Sequence, residues 1–142
     1  HVIIGFGNYS YLHGSFSHLL INSVMLLILA YFVLVLNVPQ FYCTSLIIML
    51  FGGVATWLVG RPYLHIGASG LLMGYWSYIM VHAYEQPSLF AVVVVVVCLY
   101  YFGSMLLNLF PEDHRVSWES HVFGFVGGIV AVYLSPVVMA WF

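Results

Sequence analysis

Long apolar stretches separated by short polar turns fill almost the whole chain. Each stretch predicts a helix in or near a membrane, because a membrane span needs about 20 predominantly apolar residues. The predicted helices are Leu19–Leu36, Phe41–Val59, Ser69–Ala83, Leu89–Phe110 and Val122–Phe142. Little sequence is left over for connections. The pattern therefore predicts a single all-α domain over residues 1–142, a polytopic membrane helical bundle with five visible spans.

Polar and helix-breaking residues mark the ends of these segments. Asn37–Gln40 reads as a tight turn, with Pro39 suited to the first turn of the next helix. Tyr84–Ser88 reads as a second turn. Residues 1–17 mix aromatics, glycines and serines without periodicity, which predicts a loop at the membrane interface. The last span is expected to be interrupted at Pro136.

Composition supports a membrane protein and excludes several classes. Hydrophobic residues make up 64% of the 142 residues and charged residues 4%, whereas a soluble domain carries about 25% charged residues. The only fixed cations are Arg61 and Arg115, so no basic patch predicts a nucleic-acid partner. Cys43 and Cys98 lie inside apolar stretches and read as small buried hydrophobes, not as disulfide partners or metal ligands.

A serine between two small residues opens the shortest apolar segment. The stretch Gly67-Ala68-Ser69-Gly70 leads into a helix of about 15 residues, or about 22 Å, which is too short to cross a core of about 30 Å. Ser69 would then lie below the membrane surface, beside the unpaired N–H groups and the positive end of a helix dipole. Such a place stabilises the negative charge that builds up on a carbonyl under nucleophilic attack. The alternative is an ordinary serine N-cap.

Glycine spacing links this serine to a histidine. His121 stands at the head of the last span, followed by Gly124 and Gly128 on the same face. Gly70 and Gly74 form a matching stripe beside Ser69, with Ser77 one turn further on. Small residues at this spacing let two membrane helices approach until their backbones nearly touch. If the stripes meet, Ser69 and His121 come within reach of each other and can form a Ser–His dyad.

Two further polar residues share one helix face. His18 and Asn22 are four residues apart in an otherwise apolar segment. Polar groups in a span are costly and normally face the bundle interior or a wet cavity. These two side chains, with the Ser69 N–H, can form an oxyanion hole. Alternatively, they staple helices together by hydrogen bonds.

Taken together, these motifs resemble the rhomboid family of intramembrane serine proteases, and the resemblance covers nearly the whole chain. It implies Ser69 as nucleophile and His121 as general base, with the Ser69 N–H and two side chains in the oxyanion hole. The matching residues are His13, His18 and Asn22, then Gly67, Ser69 and Gly70, then His121, Gly124 and Gly128. His13 is expected to order the entrance.

The resemblance also implies partners and a location, and the sequence departs from the family pattern in two places. The substrates would be transmembrane proteins in the lipid bilayer, and no cofactor or metal ion is expected. The active site would open to the extracytoplasmic side of a bacterial plasma membrane, whereas the Arg61 and Arg115 loops taken alone would indicate the cytoplasm. Family members usually have six core spans, so the chain is expected to lack its first helix. Met73 stands where the family often has an aromatic residue against the catalytic histidine.

Two other functions stay open on the sequence. A rhomboid-like protein could bind transmembrane clients without cutting them. A haem-binding membrane protein could use two of His18, His82 and His121 as axial ligands, although this leaves Asn22 and the glycine-flanked serine unexplained. A metalloprotease is disfavoured because the sequence has no HExxH motif and we expect no acidic residue within a span.

Overall fold

The computed structural model describes residues 9–59, 69–109 and 118–141, with side chains of the first helix described from Leu19 onward. Every regular element in these ranges is a helix, which confirms the all-α prediction. The elements are α1 (Tyr9–Leu36), α2 (Val38–Val59), α3 (Ser69–Glu85), α4 (Leu89–Phe102), a 3₁₀ segment (Gly103–Leu109) and α5 (Trp118–Met139).

Three helices are long and apolar enough to cross a membrane: Leu19–Leu36 within α1, Val38–Val59 and Trp118–Met139. Helix α4 is apolar but shorter, and α3 has 17 residues, or about 26 Å of helix. Large apolar side chains cover the outside of the bundle; Leu27 is 70% exposed, Trp57 81% and Leu89 82%. Apolar surface of this extent requires lipid around it, because in water it would drive association.

Helix α3 is the centre of the bundle. It contacts α1, α2, α4 and α5, and all eight residues of Leu72–Ile79 are buried. A helix that is apolar and buried all round is typical of a core element, not of one facing lipid. Helices α2 and α5 pack along each other and along α3, whereas α4 buries only Val94, Cys98 and Phe102. The central position of α3 explains how a helix too short to span the membrane can be accommodated.

The bundle has two distinct ends. Asn37, the single residue between α1 and α2, caps α2 by accepting a hydrogen bond from the Gln40 N–H at 3.2 Å. The Gln40 side chain bonds Tyr78 in α3 and Ser135 in α5, so the last turns of α3 and α5 lie at this end. We call it the Asn37 end. The first residues of α3 and α5 lie at the opposite end, which we call the Ser69 end.

Helices α1, α4 and α5 each have one end that differs from the sequence prediction by more than three residues. Part of the expected interface loop over residues 1–17 is helical, since α1 begins at Tyr9; residues 9–36 contain no proline, and one glycine does not break a helix. The predicted helix Leu89–Phe110 is α-helical only to Phe102 and then tightens into a 3₁₀ segment from Gly103, where helix propensity falls. Residues 1–8 lie outside the described range.

The last helix also differs. It begins at Trp118 and not near Val122, and it continues through Pro136 to Met139. The acidic Glu119 suits its first turn, where the helix dipole favours negative charge. Proline is tolerated within membrane helices when neighbouring groups satisfy the freed carbonyl. Both predicted turns lie between helices but are shorter than expected: only Asn37 separates α1 from α2, with Pro39 already in α2, and residues 86–88 separate α3 from α4.

Candidate active site

Ser69 is the first residue of α3 and is half-buried. The first four N–H groups of a helix have no partner within the helix, and the dipole places partial positive charge there. Ser69 therefore lies where a developing oxyanion would be stabilised. Gly67, also predicted to belong to the site, lies outside the described residues.

His121 lies in the first turn of α5 and is 9% exposed. The backbone around it packs against the start of α3. A Cβ built on Gly70 would lie 3.0 Å from the Ser120 carbonyl oxygen, and one built on Gly124 would overlap the Gly70 carbonyl. The residue after Ser69 thus touches the residue before His121, so the backbones that carry the two side chains are adjacent.

The predicted contact between the glycine stripes is present along two turns. A Cβ on Gly128 would overlap both the Gly74 carbonyl oxygen and the Ser77 hydroxyl. That hydroxyl donates to the Phe125 carbonyl of α5 at 2.7 Å, a hydrogen bond between the two helices. Such close approach is possible because only small residues line the contact.

Helix α2 closes the third side of this contact. A Cβ on Gly52 would lie 3.6 Å from the Gly124 Cα, while a Cβ on Gly74 would overlap the Ile48 side chain. The sequence predicted close packing at Gly52-Gly53; Gly52 fits this, whereas a Cβ on Gly53 would meet nothing within 4 Å. Three helices therefore meet within the first turns of α3 after Ser69, at contacts made by Gly70, Gly74, Gly124 and Gly52.

Asn22 lies on α1 at the level of Ser69. Near the Asn37 end, Phe32 of α1 and Ile79 of α3 line one small apolar cavity together. Asn22 precedes Phe32 by as many residues as Ser69 precedes Ile79, and both helices rise about 1.5 Å per residue in the same direction. Asn22 is half-buried. His18 and His13 lie in α1 one and about two turns before Asn22, but their side chains lie outside the described range.

In a comparison with known protein families, one family model matches nearly the whole length of the chain. The model of the Rhomboid domain matches residues 3–136. The chain belongs to the rhomboid family.

Relatives of this rhomboid chain are found in mycobacteria. An uncharacterized protein of Mycobacterium tuberculosis is 34% identical over 132 residues, which cover 87% of this chain and 55% of the relative. An uncharacterized protein of Mycobacterium leprae is 33% identical over 132 residues, covering 87% and 52%. The chain thus spans about half the length of the curated relatives it matches. No solved structure gives a significant match.

Met73 lies one turn after Ser69 in this rhomboid chain and is 1% exposed. It is part of the main core cluster, together with Leu72 and Tyr75 of the same helix. An unbranched thioether adapts to irregular gaps. Met73 therefore fills core space on α3, one turn below the candidate nucleophile.

The structure corrects one expectation about acidic residues. We expected none within a span, but Glu119 lies in the first turn of α5 and is only 6% exposed. It precedes His121 by two residues, so it points to a different side of the helix. An acidic residue just before a long apolar run is a known signal of a helix start. That signal could have placed Glu119 in the helix from sequence.

The described geometry argues against one form of haem site. His82 lies in the last turn of α3, thirteen residues after Ser69, whereas His121 lies at the Ser69 end of α5. The two are separated by roughly 18 Å along the bundle axis. They cannot both bind one iron atom. A haem site that pairs His82 with His121 is therefore excluded.

Proposed function

We propose that this rhomboid-family protein is an intramembrane serine endopeptidase, with Ser69 as nucleophile and His121 as general base. The observation that supports it most is the contact of Gly70 with Ser120 and Gly124. It brings together the helix starts that carry a serine and a histidine, inside an otherwise apolar bundle. Structural packing needs the glycines, but it does not need a hydroxyl and an imidazole beside them.

The first half of the reaction uses groups at the Ser69 end. His121 takes the proton from the Ser69 hydroxyl as the serine oxygen attacks the carbonyl carbon of a substrate peptide bond. The carbonyl π electrons move onto oxygen, giving a tetrahedral oxyanion. The Ser69 N–H, the Asn22 amide and the His18 imidazole donate hydrogen bonds to it. One such donor contributes about 10²–10³ in rate.

The second half returns the enzyme to its starting state. The tetrahedral species collapses and breaks the carbon–nitrogen bond, and His121 gives its proton to the leaving amine. Water then attacks the acyl-serine ester while His121 takes a proton from it, and the carboxylic acid leaves as Ser69 is reprotonated. Water must reach the site, which suits a serine at one end of the bundle.

The substrate is proposed to be a transmembrane helix of another protein. The chain is an integral membrane protein whose outer faces are apolar, so an apolar segment in the bilayer can reach the bundle from the side. A helical peptide bond is protected by its own hydrogen bonds. The substrate must therefore unwind locally before Ser69 can attack it. We place the site at the extracytoplasmic face of the membrane.

Labelling with a fluorophosphonate probe tests this proposal directly. The detergent-solubilised wild type should be labelled at one serine, and both Ser69→Ala and His121→Ala should abolish labelling. Ser23→Ala is a matched control, because that hydroxyl bonds the Leu19 carbonyl within its own helix at 2.7 Å. Labelling that survives Ser69→Ala would remove the proposed nucleophile. A well-folded wild type that is not labelled would favour the client-binding function without proteolysis.

A further inference from the structure

A single glutamine at the Asn37 end joins the helix of the serine to the helix of the histidine. The Gln40 side-chain nitrogen donates to the Tyr78 hydroxyl of α3 at 2.8 Å and to the Ser135 hydroxyl of α5 at 2.9 Å. An amide NH₂ group has two hydrogens, and here each one goes to a different helix. Gln40 itself belongs to α2, so one side chain links three helices.

The surroundings make this link persistent. Tyr78 and Ser135 are both 0% exposed, so water does not compete for their hydroxyls. Thr44, one turn after Gln40, is also 0% exposed and extends the same polar face of α2. A hydrogen bond that is lost in such surroundings leaves buried polar groups unsatisfied. The three helices therefore have one favourable relative arrangement at this end.

Nearer the Ser69 end, the Ser77 hydroxyl of α3 donates to the Phe125 carbonyl of α5 at 2.7 Å. The helices meet there through Gly70, Gly74 and Gly124, that is, backbone against backbone. Such a smooth contact fixes the separation of two helices better than their tilt. A smooth contact with one such hydrogen bond acts as a pivot, so a second attachment further along the helices is needed to fix the tilt.

Geometry shows how much a far clamp matters. Tyr78 is nine residues from Ser69, and Ser135 is fourteen residues from His121. At about 1.5 Å per residue these lever arms are roughly 14 Å and 21 Å. A tilt of about 3° then moves the end of the longer arm by about 1 Å, a displacement that can cost up to about 10²-fold in rate.

We propose that Gln40 is a positioning residue for the Ser69–His121 pair, which it holds in register by clamping α3 to α5 at the opposite end of the bundle. This inference rests on the proposed function. The Gln40 amide, in the first turn of α2, would then affect a reaction at the opposite end of the bundle. The glycine stripes set the distance between the helices, and Gln40 sets their tilt.

The test replaces the amide by an apolar chain of similar length. Gln40→Met keeps the volume but removes both donors, and the variant is compared with wild type in fluorophosphonate labelling. A misaligned pair lowers the rate constant kinact with KI unchanged, and every molecule is still labelled in the end. We expect kinact to fall about 3- to 30-fold, within the range for small displacements of catalytic groups. A loss of folded protein would instead lower the final labelled fraction.

Two control variants separate positioning from stability. Ser45→Ala removes the 2.6 Å hydrogen bond between Ser45 and Tyr75, which joins α2 to α3 without reaching α5. Gln86→Met makes the same chemical change at an exposed glutamine in the connection after α3. Both should keep kinact within about twofold of wild type, as expected for changes outside the clamp. Ser135→Ala, which cuts only one of the two links, should lower kinact, and should add little when combined with Gln40→Met.

The outcomes distinguish this inference from the proposed function. Wild-type labelling at Ser69 with an unchanged kinact in Gln40→Met would overturn the clamp and leave the protease intact. Equal losses in Gln40→Met and Ser45→Ala, in step with their melting temperatures, would also overturn it. If the wild type is not labelled at Ser69, both the proposed function and the clamp fail. If Gln40→Met does not fold, Ser135→Ala alone decides by the same criterion.

Discussion

At the scale of single residues, Gly124 carries one of the two tightest glycine contacts between α3 and α5. A methyl group there would overlap the Gly70 carbonyl, so Gly124→Ala must push α5 away from α3. We expect it to destabilise the fold by about 1–3 kcal/mol, as overpacking of a dense contact usually does. Unfolding in mixed micelles, followed by circular dichroism, measures the change.

Gly53→Ala is the matched control for this prediction. A Cβ at position 53 meets nothing within 4 Å, although the residue lies in the same bundle and also within a helix. Alanine has the higher helix propensity, so the variant should be as stable as wild type or slightly more stable. Equal destabilisation at both positions would mean that the close approach of α3 and α5 is not what Gly124 provides.

At the scale of helices, Ser77 connects α3 to α5 in two ways. Its hydroxyl donates to the Phe125 carbonyl at 2.7 Å, and its side chain fills the space left by Gly128. Ser77→Ala removes the hydrogen bond, worth about 0.6 kcal/mol on average between membrane helices, and with it the contact of the oxygen with Gly128. Ser77→Val adds bulk against Gly128 and should cost clearly more, about 1–3 kcal/mol.

The comparison of these two variants is made by the same unfolding assay. The expected order is wild type, then Ser77→Ala, then Ser77→Val. If Ser77→Val were the more stable of the two, the helices would have room at this level, contrary to the contact seen at Gly128. Phe125→Ala is no substitute for this test, because the Ser77 hydroxyl bonds a backbone carbonyl that every side chain retains.

Helix-scale features also show what a sequence can and cannot predict. The glycine stripes were predictable because both follow a local helical period, and close packing is what glycines at that spacing allow. The start of α3 at Ser69 was also predictable, because a serine directly before an apolar run is a typical helix start. The Gln40–Ser135 hydrogen bond was not, because it joins residues far apart in sequence and nothing near either one signals it.

Boundaries were predicted less well than the helices themselves. Helix α1 begins at Tyr9 although its first residues carry no apolar period, because aromatic and small polar residues do not by themselves stop a helix. The early start of α5 placed Glu119 inside the bundle, where a search for apolar runs alone does not look for an acid. The catalytic roles of Ser69, His121, His18 and Asn22 remain predictions.

At the scale of the whole molecule, the two ends of the bundle must face opposite sides of the membrane. The α1–α2 and α3–α4 connections share the Asn37 end, and Ser69 and His121 lie at the other end. Our placement of the site at the extracytoplasmic face therefore assigns the Asn37 end to the cytoplasm. This assignment makes a prediction that does not depend on enzymatic activity.

Single cysteines at exposed positions test it, in a background with Cys43 and Cys98 replaced. Asn37→Cys and Gln86→Cys report on one end, and Val59→Cys, where the side chain is 70% exposed at the end of α2, reports on the other. In intact bacterial cells a membrane-impermeant maleimide should label only Val59→Cys. Permeabilised cells should show all three labelled, which controls for reactivity. The reverse pattern in intact cells would turn the site toward the cytoplasm, so that substrates would be cut on that side even with the Ser69–His121 chemistry unchanged.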